Sequence, residues 1–312
     1  MRKVLFFVSS LLALLSVASC QKEVSGSIEG GNAVVTLSVN IPDAPQTRAI
    51  AQAENVDIVY YEVWNADWSK QHFPADNSAL ASAPVSGGRA TIDLVLVKGQ
   101  TYNFIFWAQD KDHEAYDVSD LQNVEVDYSV LAANGNSDSF DAFYSVNTIT
   151  VTDSFNETVF LRRPFAQLNF GASKMDTSFG DIVLGDTEVT VSELATVFDT
   201  RNGIGANPTA APVTFKAKSI ATTEQLKTNG KTYTWITMDY MLMNDETDAV
   251  TVQASFAIDD MTEPVRHSVD NVPLRKNYRT NIVGDLFTSN AVLEIIVDPV
   301  FEDPDYIVDA LK

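Results

Sequence analysis

The 312-residue sequence predicts an all-β protein made of two β-sandwich domains. Three observations carry this. Short segments with period-2 alternation of apolar and polar residues recur along the chain, separated by Gly, Pro, Asn and Asp. No apolar pattern of helical period runs longer than about three turns, the best being Tyr116–Val124. The length is that of about two domains.

The amino terminus comes before this pattern. Arg2 and Lys3 precede an almost unbroken apolar run, Val4 to Leu15, followed by the small residues Ser16, Ala18 and Ser19. About a dozen apolar residues are too few to span a bilayer, so residues 1–19 read as an export signal. Val17-Ala-Ser-Cys20 resembles the lipobox of bacterial lipoproteins, in which the cysteine is acylated and heads the mature chain. Cys20 is the only cysteine, so lipidation would leave no thiol for a disulfide. Residues 20–32, rich in Gly and Ser, form a lipidated tether.

Two domains are expected beyond it, 33–163 and 164–312. Ala33 to Ile41 is a half-buried strand with Val35, Leu37, Val39 and Ile41 on one face. Pro42 and Pro45 end it and open an exposed loop. There Arg48, followed by Ala49, is either an accessible site for an arginine-specific protease or simply a surface arginine. Val56, Ile58, Tyr60 and Trp64 share a face of the next strand. Arg89–Val97 puts Ala90, Ile92, Leu94 and Leu96 on one side, and Lys98-Gly99 turns the chain towards Tyr102, Phe104 and Phe106. Polar stretches at 110–114 and 134–141 separate later strands. Arg162-Arg163-Pro164 reads as the hinge, because a new alternation starts at Phe165. Strands follow at 188–191, 213–217, 233–241, 250–258, 278–283 and 291–297.

Composition narrows the function. Loss of Arg2 and Lys3 with the signal moves the net charge from −21 to −23, which argues against nucleic acid or an anionic membrane surface as a partner. At 45% hydrophobic residues the chain has ample material for packed cores. No nucleophile elbow, zinc helix or phosphate-cradling glycine loop appears, so no enzyme and no cofactor are expected. His72, His113 and His267 are far apart in sequence and read as solvated loop residues. Asn134, Asn136, Asp138 and Asp141 offer oxygens at calcium-like spacing. However, the sixth and twelfth positions of such a loop are Ser139 and Ser145, so a polar turn is expected and no metal. Of Trp64, Trp68, Trp107 and Trp235, Trp68 is the residue placed to contact a glycan.

Several stretches then point to a family. Leu161-Arg-Arg-Pro-Phe-Ala-Gln-Leu-Asn-Phe170, Val272-Pro-Leu-Arg-Lys-Asn-Tyr-Arg-Thr-Asn-Ile-Val-Gly284, Gly99–Ala108 and Asp141-Ala-Phe-Tyr144 resemble motifs of the fimbrillin-like lipoproteins of the Bacteroidales, relatives of type V pilus subunits. The resemblance covers essentially the whole mature chain. It implies two sandwiches of transthyretin-like topology, attachment to the outer membrane through lipid on Cys20, and a place at the cell surface or in a fimbrium. It also implies other fimbrial subunits and an arginine-specific protease as partners. Cleavage at Arg48-Ala49 would release the strand Ala33–Ile41, and a strand from another subunit's carboxy-terminal end would fill the groove.

Burial arithmetic supports such an exchange independently. Val35, Leu37, Val39 and Ile41 together represent roughly 6 to 12 kcal/mol of apolar burial, as an upper bound. Candidate donor segments are Val292–Val297 and Tyr306–Val308, unless the first simply completes the second sandwich. The competing reading is a monomeric surface lipoprotein that binds glycans through Trp68.

Overall fold

The computed structural model describes residues 31–42, 53, 55–74, 79–173, 183–220, 225–245, 247–259, 261–288 and 291–299. The expected export signal, Cys20, Arg48, Ala49 and Tyr306–Val308 lie outside them. The first half contains β1 (Asn32–Asn40), β2 (Ile58–Asn65), β3 (Gln71–Phe73), β4 (Ala81–Pro84), β5 (Arg89–Val97), β6 (Thr101–Gln109), β7 (Tyr116–Asp117), β8 (Asn123–Val126), helix α1 (Tyr128–Leu131), β9 (Phe143–Thr150) and β10 (Phe155–Phe160). The second contains β11 (Ala166–Ala172), β12 (Leu184–Val191), β13 (Ala195–Asp199), β14 (Ile204–Pro208), β15 (Val213–Lys218), β16 (Gln225–Thr228), β17 (Lys231–Met241), β18 (Thr247–Ile258), β19 (Val265–Arg275), β20 (Arg279–Gly284) and β21 (Leu293–Asp298).

These strands build two β-sandwiches. In the first, the sheet β10-β1-β5 covers the sheet β3-β2-β6-β9, with β4 also paired to β2. In the second, β16-β17-β11-β20-β21 faces β15-β12-β18-β19. Both share a plan: the opening strand lies inside its sheet, antiparallel to one neighbour and parallel to a later strand. For β1 these neighbours are β5 and β10, and for β11 they are β17 and β20.

The alternations translate directly into burial. Ala90, Ile92, Leu94 and Leu96 of β5 are all buried, while the residues between them are exposed. β6 behaves differently, because eight of its nine residues are buried. Tyr102, Phe104, Phe106 and Ala108 enter the first core, whereas Ile105 and Trp107 enter the second. A strand covered on both faces reads as a nearly continuous apolar run. β2 is also shared: Val59 and Val63 fill the first core, and Tyr60 and Trp64 pack against the second.

The expected helix at Tyr116–Val124 is not formed. Ser119 N–H and Gln122 N–H donate to the carboxylates of Asp117 and Asp120, closing side-chain turns that compete with helical hydrogen bonds. The flanking residues become β7 and β8, and β8 pairs with the distant β13 in a small sheet β14-β13-β8-β7. The helix that does form, α1, spans four residues further on, capped by Asp127. Among the described residues no helix is long and apolar enough to cross a membrane.

Candidate functional site

Asn-Ala-Val-Val-Thr-Leu-Ser-Val-Asn, the sequence of β1, seats a strand with two unlike faces. Val35, Leu37 and Val39 have no exposed surface, and Ile41 just beyond the strand is 6% exposed. All four join the first core with Ile92, Leu94, Phe104, Phe106 and Val159. The backbone is held on both sides. Antiparallel pairing to β5 runs from Asn32↔Val97 to Asn40↔Arg89, and parallel pairing to β10 runs from Val35↔Phe155 to Asn40↔Phe160. Beyond the ladders, Ile41 N–H donates to Gly88 O, and Leu161 N–H donates to Asn40 O. Polar clips fasten the outer face: Thr36 Oγ1 donates to Asp93 Oδ1 at 2.6 Å, and Arg89 Nε donates to Asn40 Oδ1 at 2.9 Å.

Removing such a strand would uncover an apolar trough and leave two rows of unpaired backbone groups, one on β5 and one on β10. The arrangement can therefore accept any extended segment that offers alternating apolar side chains. At the far end of the chain, β21 takes up most of the first expected donor segment. It pairs antiparallel with β20 and forms the edge of its sheet.

The other expected sites are placed as follows. Trp68 is half-buried with a φ of +62°, and the Arg201 guanidinium lies over its ring at 4.7 Å, with the Trp64 ring 6.4 Å away. Trp107 and Trp235 are core residues whose indole N–H groups donate to Gln109 Oε1 and to Asn169 Oδ1 and Thr237 O. The histidines are not solvated loop residues, and all three are half-buried. His72 stacks edge-on against Tyr102, His113 against Tyr116, and His267 Nε2 lies 2.7 Å from Leu286 O. Burial holds the His72 and His113 pKa values below the ordinary histidine range.

The oxygens at 134–141 do not converge on one point. Asn134 Nδ2 donates to Val130 O, while Asn136 bridges Lys218 O and Met238 N–H. Asp141 is fully buried and takes three hydrogen bonds from Arg163, two from Nε and one from Nη2, at 2.6–3.0 Å. The carboxylates of Asp57, Asp110 and Asp112 lie close together, and the Lys111 ammonium bridges the first and third at 2.6 and 3.0 Å.

Sequence reading missed that its own motifs meet. Tyr144 and Arg162 exchange backbone hydrogen bonds, Arg163 N–H donates to Asn277 Oδ1, and Asn277 N–H donates to Phe165 O. Three stretches picked out separately thus form one joint between the sandwiches. A signal was present in the chemistry: Arg163 and Asp141 are charges set among apolar residues, and such charges are buried only in pairs.

The DUF6562 model, a family of unknown function, matches residues 26–310. The chain belongs to this family. No curated protein matches the DUF6562 chain significantly in sequence. Its fold resembles that of a candidate cell-adhesion protein from Bacteroides ovatus, with 10% identity, a TM-score of 0.50, and 85% of this chain and 96% of that one covered. A candidate polysaccharide-binding protein from Bacteroides thetaiotaomicron gives 14% identity, a TM-score of 0.50 and coverage of 86% and 96%. The tip fimbrial protein Mfa3 from Porphyromonas gingivalis gives 8%, 0.47, and 86% and 99%. The DUF6562 chain thus shares its fold with the candidate cell-adhesion and polysaccharide-binding structures.

Proposed function

We propose that this protein is a lipid-anchored cell-surface protein, acylated on Cys20, that serves as a fimbrial subunit or accessory in adhesion. Its working part is a replaceable strand. An arginine-specific protease cuts the Arg48-Ala49 bond, β1 leaves with the lipid, and a strand from a neighbouring subunit enters between β5 and β10.

The observation that carries this reading is the seat of β1. It is an interior strand, hydrogen-bonded on both sides and buried along one face, and Arg48 lies in the sequence between it and β2. β21 is used within its own sandwich, which favours the segment around Tyr306–Val308 as the donor. Cleavage separates the body from its anchor, so a cut subunit is retained by its neighbours and an uncut one stays on the membrane.

Mass spectrometry and amino-terminal sequencing of protein recovered from the cell surface test this. Assembled fibres are expected to contain chains beginning at Ala49, and the membrane fraction chains beginning at acylated Cys20. Fibres built from chains that still begin at acylated Cys20 would overturn the strand-exchange reading.

A further inference from the structure

The two ends of the first sandwich differ in charge. At one end lie the start of β1, the β5–β6 turn (98–100), the β2–β3 turn (66–70) and the β9–β10 connection (151–154). The charged side chains of these segments are Lys98, Lys70, Asp153 and Asp67, two of each sign. Lys98 Nζ meets Asp153 Oδ1 at 2.7 Å. At the opposite end, Asp57, Asp110, Asp112 and Glu114 stand with one ammonium, that of Lys111. On a chain of net charge −21, the first end is locally neutral.

The neutral end also carries exposed apolar surface. Val97 stands opposite Asn32 at the start of β1, and Val95 opposite Val34, on the sheet face turned away from the core. Val95 is 51% and Val97 47% exposed, and Val34 is half-buried. The next pair along that face is polar, Thr36 with Asp93. The apolar patch thus extends about 7 Å along the strand, the rise of two residues. The chain towards Cys20 leaves from the same place, since Gly31 O accepts from Lys98 N–H at 2.7 Å. Ten residues separate Gly31 from Cys20, a length that spans at most about 40 Å when fully extended.

These features together select what covers the patch. An acyl anchor on Cys20 would hold this end near the bilayer at high effective concentration, so a small patch is enough to dock it. The length of the patch matches the roughly 5–10 Å over which apolar side chains enter the headgroup boundary. Neutrality lets this end approach zwitterionic headgroups, whereas the opposite end would bring carboxylates against them. A second copy would instead bring two strongly acidic chains together. We infer, resting on the anchoring through Cys20 proposed above, that this end of the first sandwich lies on the bilayer. Val95, Val97 and Val34 then sit in the headgroup layer.

The test uses the full-length acylated chain, in which Cys20 is the only cysteine and acylation leaves no free thiol. Gln100→Cys places a fluorophore in the exposed β5–β6 turn, and Thr91→Cys places one on the same face of β5 towards the opposite end. Intact mass is measured first, and a chain without acyl groups would overturn the anchoring reading and this inference together. The labelled proteins are then reconstituted into phosphatidylcholine vesicles that contain a nitroxide-headgroup lipid. Quenching is expected to be at least threefold stronger at position 100 than at 91. Val95→Asp/Val97→Asp is expected to reduce quenching at 100 at least twofold, and both side chains are exposed, so the core is left intact. For acylated chains, equal quenching at the two positions, or quenching at 100 that survives the double substitution, would overturn this inference alone. Energy transfer between labelled copies with little lipid quenching would assign the patch to a second copy and would also overturn it.

Discussion

Asp141 and Arg163 form a fully buried ion pair at the junction of the two sandwiches. Asp141 has no exposed surface and Arg163 only 1%. The guanidinium also lies 4.4 Å from the centre of the Phe143 ring. Asp141 precedes β9 and Arg163 follows β10, strands that belong to different sheets of the first sandwich, so the pair ties both ends of this segment together next to the start of the second sandwich. Burial of two charges is tolerable because each pairs with the other, and Arg279 adds a second positive charge near Asp141.

Removal of one partner is therefore predicted to be more damaging than loss of the pair. Arg163→Met leaves a buried carboxylate without its counter-charge and is expected to cost about 3–5 kcal/mol. Arg163→Lys should recover little of this, because an ammonium cannot reproduce the bidentate geometry. Urea denaturation of the two variants and of Arg163→Met/Asp141→Leu measures it, and the double variant should be the more stable of the two methionine-containing proteins.

The two faces of β1 should respond differently. Leu37→Ala removes buried methyl groups from the first core and is expected to cost about 2–5 kcal/mol. Ser38→Ala, on the outer face, should change stability by about 0.5 kcal/mol or less. Equal losses in denaturant melts would mean that β1 is not seated as described.

Asp239 gives the protein a pH dependence of its own. Burial pushes its carboxyl up from the usual 3.8 to about 7, although a backbone hydrogen bond from Asn136 opposes the shift. Its Oδ1 has no hydrogen-bond partner among the described residues. For an acid whose folded pKa is raised, the stabilising contribution is fully present below the unfolded value and is lost as pH rises through the folded one. Stability contributed by this group should therefore fall between about pH 4 and pH 7, by up to about 4 kcal/mol. Asp239→Asn should flatten that part of the profile and stabilise the protein at neutral pH. An unchanged slope in thermal melts from pH 4 to 7.5 would show that Asp239 does not titrate there.

Cleavage gives the most direct functional prediction. Arg48→Ala should leave the chain at its uncut mass after treatment with an arginine-specific protease and should keep it in the membrane fraction. Release of Arg48→Ala with a new amino terminus elsewhere would relocate the cut.

Much of the fold could be read before any coordinates, because period-2 patterning of a half-buried strand is a local signal. β1 and β5 are the clearest instances: each buries the face that its alternation marks. β6 and β2 were less readable, since both of their faces are covered and the two partners come from different sandwiches. The stretch Tyr116–Val124 misled for another reason. Its apolar spacing suits a helix, and its pairing with β13, through Asn123↔Asp199 and Val124↔Phe198, lies over seventy residues away.

The sequence by itself determined the strand-rich character, the two-faced design of β1 and the motifs that mark the family, because each is written in neighbouring residues. Only the tertiary structure decided that Asp141 faces Arg163, that Arg201 covers Trp68, and that Tyr60, His113 and Glu125 line one cleft. Those relationships join side chains far apart along the chain, and they come into being only when distant strands are brought together to bury their apolar faces.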